Sequence, residues 1–261
     1  MRSTFYVLVL FFLLSSCRQN LEEKQSEELR IISLSPGITN TIIDAGYEDY
    51  LVGRSPFCLH ANQSVPVVGD LIEIDYERLL KLKPSHVLAQ KTTSDIDKHL
   101  LTLSSKGKFE LHAWQISTLN DIKIMYGDMT EMFGGSRENL EIEMTQNELI
   151  PSPVLIITQG VEGTSGLCFG KDTYIDDLLQ EMGVENVIKE KGWLSLSLED
   201  IGRLQPKAII VVSESDLQIV MFENLLSLGI PVLPFTHEHV LLPSSEIVNV
   251  AKKMQELKVD K

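Results

Sequence analysis

The chain has 261 residues, of which 43% are hydrophobic and 23% charged, and 37 acidic against 23 basic side chains give a formal net charge of −14. That balance excludes a surface built for nucleic acid or for electrostatic docking on anionic lipid, both of which need an excess of Lys and Arg. Cys17, Cys58 and Cys168 contain no CxxC pair, which excludes a disulfide framework.

In chain order, a single Arg precedes an uninterrupted apolar run at 5–14, too short to span a bilayer and matching the hydrophobic region of a secretory signal. The Ser15-Ser16-Cys17 sequence behind it resembles a bacterial lipobox, so residues 1–16 are expected to be a signal peptide and Cys17 the lipidated first residue of the mature chain. An ordinary signal cut near the same place, with Cys17 incidental, is the alternative. Residues 17–29 are polar and aperiodic and read as a tether. A strand is expected at 30–33, then a Pro36-Gly37 turn and a helix over 38–45 stopped by Gly46. A short strand at 51–53 leads to an irregular loop at 54–65. A helix over 95–105 and a strand at 110–114 follow, giving the βαβα alternation of a parallel sheet covered by helices. Helices are then expected over 119–133 and 136–150, the latter about 22 Å long at ~1.5 Å per residue. The programme repeats: a strand at 154–158, a glycine-rich loop at 159–169, helices over 173–182 and 215–228, a strand at 232–233, and a terminal helix over 245–257.

One stretch organises the rest. DYERLLKLKPSHVLA at 75–89 returns without a gap as SLEDIGRLQPKAIIV at 197–211. Each unit has a capping residue (Asp75, Ser197), a glutamate two places on (Glu77, Glu199), a Leu-x-Pro stop and an apolar run. That is a short helix feeding a buried strand. Two such units in register predict an α/β fold of two three-layer lobes with mostly parallel sheets, joined by an interlobe helix, with a ligand cleft between them. The expected boundaries are 30–116 for the first lobe, 117–150 for the helical connection and 151–261 for the second lobe.

Loops after strands then carry the chemistry. Cys58 and His60 follow the second strand, and His237, Glu238 and His239 follow the last. His60, His237 and His239 could coordinate a metal directly, although alternate residues of an extended segment point apart. His86, His99 and His112 read as polar loop residues and Cys168 as a packed small hydrophobe. The loop GVEGTSG lacks both the Lys-Ser/Thr of a P-loop and GxGxxG spacing, so no nucleotide site is expected. No GxSxG, HExxH or paired nucleophile and base is present.

The segments RIISLSPGITNTIIDAGYEDYLVG, VGDLIEIDYERLLKLKPSHVLA, FGKDTYIDDLLQEMGVENVI and GWLSLSLEDIGRLQPKAIIV resemble the periplasmic-binding proteins of the cobalamin, siderophore and heme ABC importers. The resemblance implies a non-enzymatic, monomeric lipoprotein, exported and anchored at the periplasmic or cell surface by its lipid. It implies capture of a corrinoid or iron chelate, delivery to an ABC permease dimer with its ATPase, and no cofactor beyond the cargo. Glu77 and Glu199 match the family's pair of permease-docking glutamates, one per lobe. Trp193, expected in a Gly-Trp loop immediately ahead of the second repeat helix, occupies the place of a cleft tryptophan in the cobalamin binders, with core packing as its alternative. Leu71, Phe57 and Gln90 stand where those binders have tryptophan, tyrosine and tryptophan, departures that count against cobalamin itself. The cleft is expected to take Phe57, Cys58, His60, Leu71, Gln90, Gln159, Trp193, His237, Glu238 and His239. A carrier of free zinc or manganese through His60, His237 and His239 is the alternative, and a lipid-anchored metallo-enzyme the alternative of another class.

Overall fold

A computed structural model describes residues 28–91, 96–135, 138–159, 166–215 and 219–259. The expected signal peptide, Cys17 and most of the GVEGTSG loop lie outside these residues. The chain builds two sheets. In the first, β1 (Ile31–Ser33), β2 (Leu51–Arg54), β3 (His86–Lys91) and β4 (Glu110–Gln115) run parallel in the order β2-β1-β3-β4. In the second, β5 (Val154–Thr158), β8 (Ala208–Ser213) and β9 (Val232–Thr236) are parallel. Here β6 (Leu167–Phe169) and β7 (Trp193–Ser195) add antiparallel on the other side, giving β7-β6-β5-β8-β9. The triplets β1-β3-β4 and β5-β8-β9 correspond, one to each lobe.

Strand period two sorts the side chains into three cores. Val154, Ile156, Ala208, Ile210 and Val212 face a central core, which Ile31 and Leu88 of the first sheet enter from the other lobe. Helix α4 (Leu119–Met132) fills it with Ile122, Met125 and Met129, all fully buried, and is the helix that joins the lobes. The alternate residues face outward to separate cores. Val87 and Ala89 meet Leu79 of α2 (Tyr76–Lys81) and Leu100 of α3 (Lys98–Ser105). Ile209 and Val211 meet Ile201 of α6 (Leu198–Leu204) and Leu225 of α7 (Ile219–Leu226). Each buried Leu or Ile contributes about 1.5–3 kcal/mol relative to exposure.

The duplicated unit keeps its register in three dimensions. Asp75 Oδ1 accepts from Arg78 N at 2.9 Å, and Ser197 Oγ accepts from Asp200 N at 3.1 Å while the Asp200 carboxylate returns the bond. Both Leu-x-Pro stops turn through a left-handed residue, Lys83 at φ 48° and Gln205 at φ 50°. A non-glycine residue there costs roughly 1–2 kcal/mol, yet both copies retain one.

Four expectations need correction. Residues 138–150 are not a helix. Leu140, Ile142 and Met144 alternate with exposed neighbours, and this period-two pattern lays the segment extended across the central core. Its polar groups are met by the chain's end: Gln255 Oε1 accepts from Thr145 N at 2.9 Å, and Asn147 Nδ2 donates to Leu257 O at 2.9 Å. Second, Trp193 lies in strand β7 rather than in a loop, and β6 closes the glycine-rich segment; both strands have only three residues, too few to show a period. Third, His86 and His112 are strand residues and His99 belongs to α3. Strand β9 also runs through Pro234 to Thr236, which its edge position tolerates because no ladder donor is needed there.

Candidate functional site

The carboxyl ends of the two sheets enclose a cleft of about 610 Å³. One wall is Gln90 and Lys91 at the end of β3, with Gln115, Ile116 and Ser117 after β4. The other is Trp193 with Tyr174, the first residue of α5 (Tyr174–Glu181), and the segment 241–243. Trp193 is 46% exposed, and its ring lies 4.1 Å from that of Phe169, so a buried aromatic supports it from behind. Tyr174 is fully buried; its hydroxyl donates to Val240 O at 2.9 Å, and its backbone N–H donates to Ser117 O at 2.7 Å across the cleft floor. At the edge of the floor the lobes touch: a Cβ on Gly37 would sit 2.5 Å from Pro243 O, so only glycine allows this backbone approach. Gln90 is oriented by Ser35 Oγ at 3.0 Å. A second cavity, about 630 Å³, lies along the β4 edge of the first lobe beside Trp114 and α4 and does not reach the second lobe.

A cluster of imidazoles flanks the cleft. His60 comes from the loop after β2, and Glu238 and His239 from the loop after β9. One potential ligand atom from each lies within 4.8 Å of the others. The His60 and His239 rings are 4.5 Å apart, and His237 is 5.8 Å from His239. Nearly buried Arg54 fixes the first loop, its guanidinium donating to Val65 O at 3.1 Å and to Gln63 Oε1 at 2.7 Å. Gln63 Nε2 in turn donates to Leu59 O at 3.0 Å and Ala61 O at 2.7 Å. Buried Asn40 on α1 (Pro36–Asp44) holds His239, with Nδ2 and Nδ1 3.1 Å apart, while Asn40 Oδ1 is buried and without a partner. A half-turn of that amide would set Oδ1 against a protonated Nδ1 and leave Nε2 with its lone pair for a metal. Arg54 and Asn40 escaped the sequence reading: Arg54 lies just past the first family-like segment, and Asn40, though inside it, sits on a helix rather than in a loop after a strand.

Burial lowers the pKa of both His237 and His239 from the ordinary 6.5, favouring the neutral, ligating form. For His239 the nearby Glu246 carboxylate opposes that shift, and for His237 repulsion from a protonated His239 adds to it. Partial burial raises the Glu214 carboxyl, with His60 opposing.

Of the other expected site residues, Phe57 is 63% exposed on the loop that carries His60. Cys58 is buried beneath that loop with its Sγ 2.9 Å from Thr39 Oγ1, and burial raises its thiol pKa, so it faces the first lobe's interior. Leu71 packs partly against the outer core of the first lobe. Gln159 follows β5, its N–H donating to Val212 O at 3.0 Å. Cys168 is fully buried, which pushes its thiol up to about 12. Glu77 and Glu199 stand exposed in the first turns of α2 and α6, on the outer faces of their lobes, and Glu199 pairs with Arg203 one turn on.

No protein-family model matches the chain. The high-affinity heme uptake system protein IsdE of Staphylococcus aureus (strain Newman) is 27% identical over 230 residues, covering 80% of this chain and 77% of that protein. Among solved structures, the periplasmic heme-binding protein HutB of Vibrio cholerae superposes with a TM-score of 0.66 at 18% identity, covering 87% of this chain and 98% of that one. The vitamin B12-binding protein BtuF of Vibrio cholerae gives 0.60 at 16%, covering 87% and 94%. The siderophore-binding protein FhuD of Vibrio cholerae gives 0.64 at 13%, covering 88% and 98%. The chain therefore has the two-lobed α/β fold of the periplasmic heme-, vitamin B12- and siderophore-binding proteins.

Proposed function

We propose that this protein is the substrate-binding component of an ABC importer, capturing a planar metal chelate, with heme the favoured cargo, and handing it to a permease without chemical change. The carrying observation is the cleft between the strand ends, whose volume suits a ligand of this class and whose half-exposed Trp193 offers a flat, supported face. Lys91 brings a cation to the wall, which suits the carboxylates of a porphyrin. His239, backed by Asn40, or His60 supplies an axial donor to the chelated iron. The similarity to heme uptake and heme-binding proteins supports heme over a corrinoid, as do the departures at Leu71, Phe57 and Gln90.

In this reading residues 30–116 and 151–261 act as the lobes and 117–150 as the connection. Cys17 carries the lipid anchor of an exported protein, and Glu77 and Glu199 meet arginines on a two-fold permease. Convergence of His60, Glu238 and His239 favours a second reading, uptake of a bare divalent ion. Absorbance titration of the purified protein with hemin, cobalamin, a ferric siderophore and zinc separates the two. Stoichiometric binding with a shifted heme absorption band, weakened by H239A, supports the first. Tight zinc uptake abolished by H60A/H239A, with no response to any chelate, replaces it with the second.

A further inference from the structure

At the opposite end of the first sheet, three side chains that the cleft does not use come together. His86 opens β3 and Glu110 opens β4; the two are register partners and so share a face, and His112, two residues after Glu110, shares it too. His86 Nε2 lies 3.7 Å and His112 Nε2 3.5 Å from the same oxygen, Glu110 Oε2. The two imidazole planes are nearly parallel, 21° apart, with ring centroids 5.8 Å from each other. One potential ligand atom from each residue falls within 4.8 Å of the others. Each ring is braced. Ser85 Oγ sits 2.9 Å from His86 Nδ1, the edge of Phe133 meets His86, and Trp114 stacks against His112.

We propose that His86, Glu110 and His112 form a binding site for a divalent transition-metal ion, zinc, copper or nickel, separate from the cargo cleft. Two imidazoles and one carboxylate are a donor set these borderline ions accept, leaving a fourth position for water. His112 Nε2 is buried and makes no hydrogen bond, although Glu110 Oε2 lies 3.5 Å away. A buried ring nitrogen that makes no hydrogen bond, beside a carboxylate and a second imidazole, is a donor open to a cation. Ser85 bonded at Nδ1 directs Nε2 of His86 inward, as an outer-shell partner does. Hard ions such as Ca²⁺ and Mg²⁺ are disfavoured, because only one ligand is oxygen. The four residue steps from His86 to Gln90 put about 13 Å of strand, at ~3.3 Å per residue, between this site and the cleft wall. The ring of His86 also packs on Phe133, where α4 ends, so an ion here would brace the start of the crossover to the second lobe.

The test uses tag-free protein dialysed against Zn²⁺ and, in parallel, Co²⁺ for its visible spectrum. Wild type is expected to retain an equivalent of metal that survives in H60A/H239A and is lost in H86Q/H112Q. Its cobalt spectrum should show nitrogen and oxygen ligation without a thiolate charge-transfer band. E110Q changes a side chain that is 72% exposed, so it should keep the fold and still release the ion. Retention of the equivalent in both H86Q/H112Q and E110Q, its loss only in H60A/H239A, or a thiolate band would overturn the proposal. Heme titration is unaffected by E110Q if the two sites are independent, so failure here leaves the cargo reading standing.

Discussion

Tyr174→Phe removes one oxygen and tests how the loop carrying His237 and His239 is held. The Tyr174 hydroxyl donates to Val240 O at 2.9 Å inside the central core, where Tyr174 and Val240 are both buried. Deleting the donor leaves a carbonyl in apolar surroundings, at a cost of about 1–3 kcal/mol. For a chain of this size each kcal/mol lowers the melting temperature by roughly 2–4 °C, so a mid-range loss gives about 4–8 °C. The ring, its contact with Phe169 and the Tyr174 N–H bond to Ser117 O all remain, so the cleft wall persists. Calorimetry should therefore show the drop, while hemin titration shows a weaker effect through the loosened histidine loop. A melting temperature within about 1 °C of wild type would mean that Val240 O finds another donor, and the loop's anchorage would have to be sought elsewhere.

Trp193→Ala should weaken cargo binding by about tenfold through loss of the stacking face, with little change in stability because the side chain is half-exposed; unchanged affinity would move the cargo off this wall. Glu77→Ala with Glu199→Ala should impair uptake in cells and leave cargo affinity intact; normal transport by the double variant would refute the docking role. Lys83→Gly and Gln205→Gly should each stabilise by about 1 kcal/mol in chemical denaturation, since both positions are left-handed, and destabilisation at either would show that its side chain makes compensating contacts. Because burial depresses His237 and His239 in the fold, the unfolded chain takes up their protons first as pH falls below 6.5. Their contribution to stability is complete above that value and is lost on acidification toward the folded pKa, so denaturation midpoints should fall from pH ~7.5 to ~5.5 and fall less in H237Q/H239Q.

The duplicated helix-strand unit was legible because each of its signals is local. A cap, a proline stop and a short apolar run all lie within fifteen residues, and Leu79/Ile201 and Val87/Ile209 then land on matching faces. The crossover was misread for the opposite reason. Its Glu-rich composition has high helix propensity, and tertiary burial of Leu140, Ile142 and Met144 against the central core overrode it. The β6-β7 pair was invisible because β6 is specified by pairing with β5, and β7 in turn by pairing with β6, rather than by a pattern of their own. Among the histidines, loop position drew attention to His60 and His239, whereas His86 and His112 meet only through the β3-β4 register, which no single segment encodes.

The clasp between residues 143–149 and the chain's end has a consequence for the order of assembly. Asn147 N already donates to Met182 O at 2.9 Å, but Gln255 binds both Thr145 and Glu143 O, and Val259 N reaches Leu149 O, so the crossover's fastening is complete only once residues 255–259 have emerged. The first sheet can set early from its own neighbours, but the second half must finish before the seam closes. A nonsense truncation just before Gln255 would thus strike the middle of the molecule rather than its tip.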